Sequence, residues 1–503
     1  MVHEKSCRGF YFCVAGLLLR REKFVNDIVV ICGLGFGDEG KGAITDFLSR
    51  EYGASTVIRY NGGPQAGHNV ITPDGRWHCF AQFGSGMFTP SVNTYLSKDM
   101  LIEPEALATE AGILSAKGVN NVYDRLVIDT QCTIITPMHK MLGRIKEIAR
   151  GRKAHGSCGM GVGQTIFWKE DGFSLSVSDV LEGKAYQVLS ELKEYAFSRV
   201  SSIVPQHSSE EIEETIRYFR KRCHPQKLAS CYSYLLSSLG FSFDVSRKHL
   251  GHIFQNDTVI IFEGAQGALL DRTRGFSPYV TKSNATWGNA RDLIEHANVD
   301  GLERVKKVGI MRAYGHRHGA GPFVTEDTSL KDFFDDPLNF ENRWQGAFRV
   351  GWLDLLALRY GIAINDGVDE IALTSLDRLS GLDPIRVCSS YEYRGDFRDL
   401  DQHFEWEPLA EGRARITAIR HIASPLRWAV GDGLAHHLFQ CRPLEWVEFP
   451  GWKEHIGDMQ NISDLPVNAR TLLEFLESPQ GFNTIISLVS VGPASHQKIR
   501  AHI

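Results

Sequence analysis

The chain has 503 residues, 43% of them hydrophobic and 23% charged, the balance of a globular enzyme with a sizeable buried core. Lys+Arg 55 against Asp+Glu 60 leaves a net charge of −5 with no long basic block, so no nucleic-acid partner is implied. The ten cysteines are scattered, without a C-x-x-C pair or metal-ligand spacing, which argues against a disulfide scaffold or zinc module and suits a reducing cytoplasm.

Taken in order, residues 1–26 read as an N-terminal extension. Gly9 to Leu19 is an apolar run flanked by Arg8 and Arg20, too short to span a bilayer and lacking a small-residue cleavage site. No membrane partner follows from it. Residues 27–503 then read as a large α/β domain. Ile28-Val29-Val30-Ile31 has the apolar, β-branched character of a buried strand, and Ala43 to Leu48 opens a helix. Between them, Gly33-Leu34-Gly35-Phe36-Gly37-Asp38-Glu39-Gly40-Lys41-Gly42 follows the P-loop pattern G-x-x-x-x-G-K from Gly35. Backbone N–H groups and the positive end of the helix dipole make such a turn an anion site. Gly42 stands where Ser or Thr would hold a metal, and Asp38 puts a carboxylate inside the loop. A carboxylate beside phosphates needs a metal to bind or a proton to take.

Ser55 to Tyr60 reads as a second strand, ending in Asn61-Gly62-Gly63-Pro64-Gln65-Ala66-Gly67-His68. Glycine-rich turns at the C-terminal ends of strands are where open α/β sheets bind ligands. A helix is expected at about 103–117, a strand at 125–129 and a basic helix at 140–153, before the glycine-rich stretch His155 to Gln164. Residues 181–250 read as a helical insert, with helices at about 184–201, 208–222 and 227–239. Strands are expected at 259–262, 308–314, 371–377 and 485–490, and Gly351-Trp352-Leu353-Asp354 is expected to open a helix running to Arg359. Residues 391–440, rich in Arg, Asp and His, form a divergent segment to which no chemistry is assigned. The expected fold is a large, mainly parallel sheet flanked by helices, with a P-loop-like nucleotide cleft at the strand C-terminal ends.

Several stretches stand in one order along the chain: G-D-E-G-K-G at 37–42, F-E-G-A-Q-G-A-L-L-D at 262–271 and P-Y-V-T-K-S-N-A-T at 278–286. R-H-G-A-G-P-F-V-T-E at 317–326, G-W-L-D at 351–354, T-S-L-D at 374–377 and S-V-G-P at 490–493 continue the series. Together they resemble the adenylosuccinate synthetase family over about residues 27–380 and 445–497. The resemblance implies a GTP- and Mg2+-dependent ligase of purine biosynthesis. Such an enzyme joins IMP, a 6-oxopurine nucleotide, to L-aspartate and yields adenylosuccinate, GDP and phosphate. It implies Asp38, His68 and Lys41 as catalytic residues, with the metal held by Asp38 and the Gly67 carbonyl. GTP would meet Gly37, Glu39, Gly40, Lys41, Gly42, Asp377, Ser490 and Gly492. IMP would meet Gln65, Cys158, Gln266 and Thr281, and the amine would meet Arg343 and Arg349. A cytoplasmic homodimer is also implied, although Gly172 stands where the family places an arginine that reaches the neighbouring subunit.

The pattern also departs from the family. Gln65 replaces Asn, Cys158 replaces Thr, Met160 replaces Arg, His318 replaces Val and Ser375 replaces Lys. Arg343-Trp344-Gln345-Gly346-Ala347-Phe348-Arg349-Val350 stands where the family reads T-T-T-G-R-x-R-R. These changes leave open a divergent paralogue that uses another amine or purine nucleotide, or an inactive nucleotide-binding regulator.

Overall fold

The computed structural model describes residues 28–501, apart from 152–155, 208, 256–257, 298–301, 335, 337–338, 340, 342 and 422–432. The extension at 1–26 lies outside the described residues. The Ile28–Gly33 strand is buried along its whole length. Ile28, Val30 and Cys32 pack with Leu250, Phe254 and Leu293 on one face, and Val29 and Ile31 pack with Ile44 and Leu48 on the other. Burial on both faces is why the run is apolar without alternation. Each fully buried Ile or Val side chain contributes about 1.5–3 kcal/mol.

This strand is the middle of a ten-stranded sheet. Ile260–Glu263, Thr56–Arg59, Asn93–Leu96, Leu126–Asp129 and Ser242–Asp244 follow on one side. Val305–Arg312, Glu370–Thr374, Ile486–Ser490 and Lys498–Arg500 follow on the other. Every pairing is parallel except the last, in which Ser490 lies opposite Lys498. The C-terminal ends of the parallel strands therefore share one rim, and the glycine-rich turns lie along it.

The insert forms helices Ala185–Ile203, Glu210–Arg220 and Pro225–Ser238, each within about three residues of its expected bounds. It also returns Ser242–Asp244 to the edge of the main sheet, which a purely helical insert would not do. The described part of the divergent segment contributes strands and two short helices. Ile385–Tyr393, Phe404–Leu409, Arg413–Ile419 and Cys441–Phe449 build a second, mostly antiparallel sheet with Leu353–Asp354 at its edge. Its alternation of Arg and Glu is a surface ladder, for example Arg415 with Glu407 and Glu445. The helix expected from Gly351 to Arg359 instead runs Leu355–Ile364. Asp354 caps it, accepting the Ala357 N–H at 3.1 Å, so the preceding residues stay extended.

Candidate functional site

The phosphate-loop candidate leaves the central strand and turns through left-handed backbone at Gly37 (φ 84°), Asp38 (φ 54°) and Gly40 (φ 88°), then enters the Lys41–Glu51 helix. Glu39 holds that shape from within. Its buried carboxylate accepts the Gly35 N–H at 2.7 Å, the Gly37 N–H at 3.2 Å and the Lys41 ammonium at 2.6 Å. Thr374 Oγ1 donates to the Glu39 carbonyl at 2.7 Å, and Arg312 Nε donates to the Asp38 carbonyl at 2.6 Å. The loop is thereby fastened to the two strands beyond it. A Cβ on Gly267 would meet Gly35 O at 2.3 Å, so the 264–267 turn can only interlock with this loop through glycine. Gly42 has a comparable reason. A Cβ there would lie 2.7 Å from the His68 Cβ, so the hydroxyl usual in a P-loop is excluded by the histidine.

His68 opens the short His68–Ile71 strand, and its Nδ1 lies 2.7 Å from Glu263 Oε1 at the end of the neighbouring central strand. Glu263 also receives the Ser85 N–H at 3.0 Å and the Ser85 hydroxyl, and Arg59 Nε lies 3.9 Å away. Burial pushes the Glu263 carboxyl up, but the charges of His68 and Arg59 and the bonds from His68 and Ser85 outweigh it and hold the group at about 2. An ionised carboxylate only accepts, so the proton sits on His68 Nδ1 and Nε2 is left for the cleft. Burial lowers the histidine's own value, and Glu263 opposes that shift. The sequence motif that contains Glu263 assigns it no role. The missing signal is spatial, because His68 and Glu263 are 195 residues apart.

A cleft of about 380 Å³ runs along the strand ends. Gly37, Asp38, Glu39, Gly40, Lys41, Gly42, Gln65, Gly67, His68, Cys158, Gln266, Asp377, Ser490 and Gly492 all line it. Gln65 is distinctive, since both polar atoms of its amide are buried with no partner among the described residues. Gln266, in left-handed backbone (φ 59°), receives the Ser283 hydroxyl at 3.3 Å. Asp377 follows Ser375 (φ 62°) in a single turn, where burial pushes its carboxyl up against the pull of Arg378 and Lys498.

Three expected residues do not line the cleft. Thr281 shares a 3.0 Å bond with Ser283 Oγ. Arg343 is exposed and bonds Glu211 of the helical insert. Arg349 Nε donates to Glu326 at 2.8 Å, and its Nη1 donates to the carbonyls of Gly319 at 3.1 Å and Gly321 at 2.9 Å. Between them, Trp344 covers Gly159, whose absent Cβ would stand 2.9 Å from the indole, and Arg144 lies 5.1 Å over the same ring. Cys158, beside that contact, is half-buried, and desolvation pushes its thiol up. Sequence reasoning gave no role to Arg312, His318, Gln345 and Lys498, which also line the cleft. His318 Nε2 is 3.1 Å from Gly346 O and its Nδ1 is 4.0 Å from Asp38 Oδ2.

The adenylosuccinate synthetase family model matches residues 30–412. The chain belongs to the adenylosuccinate synthetase family. The adenylosuccinate synthetase of Rhodococcus erythropolis is 30% identical over 481 residues, covering 94% of this chain and 98% of that protein. That of Methylococcus capsulatus is 31% identical over 472 residues, covering 92% and 96%. The fold matches the fully ligated adenylosuccinate synthetase of Plasmodium falciparum with a TM-score of 0.73 at 23% identity, over 95% of this chain and 100% of that one. The cyanophage S-2L succinoaminodeoxyadenylate synthetase matches more loosely, with a TM-score of 0.52 at 16% identity. This adenylosuccinate synthetase-family enzyme is therefore a ligase. No described helix is long and apolar enough to cross a membrane.

Proposed function

We propose that the enzyme joins IMP to L-aspartate at the expense of GTP, giving adenylosuccinate, GDP and phosphate. The observation that carries this reading is the convergence of Asp38, Lys41 and the Glu263-held His68 on one cleft that continues to Asp377. Asp38 takes the N1 proton of the 6-oxopurine, which makes the 6-oxygen a nucleophile toward the γ-phosphate of GTP. Lys41 sits at the helix N-terminus and neutralises phosphate charge as it moves. His68 presents Nε2 to the transferring group, and an arriving phosphoryl anion adds to Glu263 in favouring the imidazolium. The aspartate amine then forms the C6–N bond, and the C6–O bond breaks with phosphate as the leaving group.

A magnesium ion suits these residues. Mg2+ takes one or two protein oxygens and fills its remaining positions with phosphates and water. The Asp38 carboxylate, about one-third exposed, and the Gly67 carbonyl offer that share on one cleft wall. When bound, the ion supplies charge neutralisation of the phosphates. Gln266 meets the hypoxanthine edge, Gln65 the phosphorylated 6-position, and Asp377 the guanine N1–H and N2–H. Arg349 reaches the aspartate carboxylate by exchanging one carboxylate, Glu326, for another.

The test is incubation of the protein with GTP, Mg2+, IMP and a panel of single amino acids, read by product mass. Adenylosuccinate formed with aspartate alone supports the proposal. Ligation of a different amine, or nucleotide binding with no ligation by any, would replace it with the divergent-substrate or regulator reading.

A further inference from the structure

The base end of the cleft contains a cation that the motif comparison does not account for. Lys498 lines the cleft with Asp377, Ser490, Gly492 and Pro493, and its side chain is only 7% exposed. Its ammonium donates to the carbonyls of Gly492 and Ala494, each at 2.8 Å. An ammonium has three N–H bonds, so these two carbonyls leave one unassigned. Among the described residues no carboxylate lies within ion-pair distance of it. A buried cation satisfied by two neutral acceptors is incomplete, and what completes it must come from the cleft.

Topology says what that occupant is. Lys498 lies opposite Ser490 on the sheet-edge strand, and the order runs from Lys498–Arg500 through Ile486–Ser490, Glu370–Thr374 and Val305–Arg312 to Ile28–Gly33. With strands about 4.8 Å apart, Lys498 stands roughly 19 Å along the rim from the strand that carries the phosphate loop. A nucleoside triphosphate laid along the rim with its phosphates at Lys41 therefore brings its base to Lys498. Asp377 is on the same wall, and each group feels the other's charge. Burial lowers the Lys498 ammonium to about 8, with Asp377 and Asp46 opposing, so an acceptor in the cleft stabilises the charged form.

We propose that Lys498 determines base specificity by donating its third N–H to the 6-oxygen of guanine, while Asp377 accepts from N1–H and N2–H. This rests on reading the cleft as a GTP site. Adenine presents an amino donor at the same position, which would face an ammonium donor and is rejected. The lysine that the family motif places at position 375 is serine in this chain.

Calorimetric titration without IMP or amine tests the assignment, because it asks nothing of ligation. The probes are GTP and 6-thio-GTP, which share N1–H and the 2-amino group and differ in the acceptor at position 6. The unmodified protein is expected to bind GTP more tightly. Lys498→Met should weaken GTP about tenfold to a hundredfold, the worth of a charge-assisted hydrogen bond, and bring the two affinities close together. Lys498→Gln, which restores an N–H donor, should recover part of the difference. An unchanged GTP to 6-thio-GTP ratio in Lys498→Met, or equal binding of both by the unmodified protein, would overturn the assignment while leaving the ligase reading intact. Binding of neither nucleotide would remove the GTP reading itself.

Discussion

The phosphate loop and the 343–350 stretch both place cations beside glycine turns, and they use them in opposite ways. Lys41 is held at a helix N-terminus by a carboxylate that is itself bonded into the loop, with side-chain exposures of 2% and 0%. Arg343 is 61% exposed and joined to a surface glutamate of the helical insert. The first cation is fixed by the central strand of a ten-stranded sheet, and Arg312 and Thr374 at the ends of the next two strands bond the loop backbone. The second precedes a two-stranded ladder, Gly315–His318 with Phe348–Gly351. Chemistry positioned by the sheet is rigid in the unliganded protein. Chemistry carried on the ladder is satisfied by local partners until a substrate competes for it.

The largest effect expected on the rigid side is that of Asp38→Asn. It keeps the shape and removes both the proposed base and the carboxylate proposed to hold the metal, so turnover should fall at least the ~10²–10⁴-fold that general-base catalysis supplies. Thermal unfolding should be unchanged, because the Asp38 side chain is one-third exposed and its carbonyl bond to Arg312 does not depend on the carboxylate. Near-full activity in this variant would remove Asp38 from the mechanism.

Glu263→Gln should come next. Without the carboxylate, burial acts unopposed on His68, the imidazolium is lost, and turnover should fall roughly tenfold to a hundredfold, the range for a hydrogen bond to a charged group. The same variant has a pH signature. Glu263 titrates at about 2 in the folded protein against an ordinary 4.5, so the unfolded chain binds the proton more readily. Its contribution to stability is complete above pH 4.5 and is lost as pH falls toward 2. Unfolding midpoints measured across that window should drop less steeply for Glu263→Gln than for the unmodified protein. Parallel slopes would show that the pair is not ionised as described.

How much of this was legible in the sequence follows the same division. Elements with a strong local signal, such as Ile28–Gly33 and the glycine loop behind it, could be read because burial on both faces leaves an uninterrupted apolar run. The antiparallel sheet at 385–449 could not, because its exposed strands carry Arg and Glu ladders that resemble solvated loop composition. The helix expected to start at Gly351 shows how a cap hides in sequence, since the turn begins at Asp354 and only the Ala357 N–H reveals it. Within the candidate site, sequence spacing points to Asp38 and Lys41, and both line the cleft. Glu263 meets Ser85 and His68 across 178 and 195 residues of chain, to which one-dimensional pattern is blind.

Asp377→Asn probes the far end of the rigid rim. Guanine and xanthine both offer N1–H, but guanine has an amino donor at position 2 where xanthine has a carbonyl acceptor, so the variant should lose GTP and gain XTP by about tenfold to a hundredfold in relative kcat/KM. Equal use of ATP and GTP by the unmodified protein would show that the carboxylate does not read the base.

The smallest effect belongs to the loosely held side, and it sharpens the comparison most. Arg343→Ala removes an ion pair whose partners are 61% and 43% exposed, and such pairs contribute no more than about 1 kcal/mol. The unfolding midpoint should move little, and salt should remove what difference there is. The informative quantity is the KM for aspartate. If Arg343 stays on Glu211 during turnover, the KM of Arg343→Ala matches that of the unmodified protein. Glu211→Gln supplies the opposite arm, because it releases the guanidinium without deleting it. An arginine that swings to the substrate would then lower KM in Glu211→Gln and raise it in Arg343→Ala by about tenfold, the scale of one charge-assisted contact. We expect neither change, because the Arg343 side chain lies outside the cleft, with Trp344 stacked over Gly159 between it and Gln345. Opposite shifts in the two variants would place Arg343 in the amine site and make the 343–350 stretch a moving part of it.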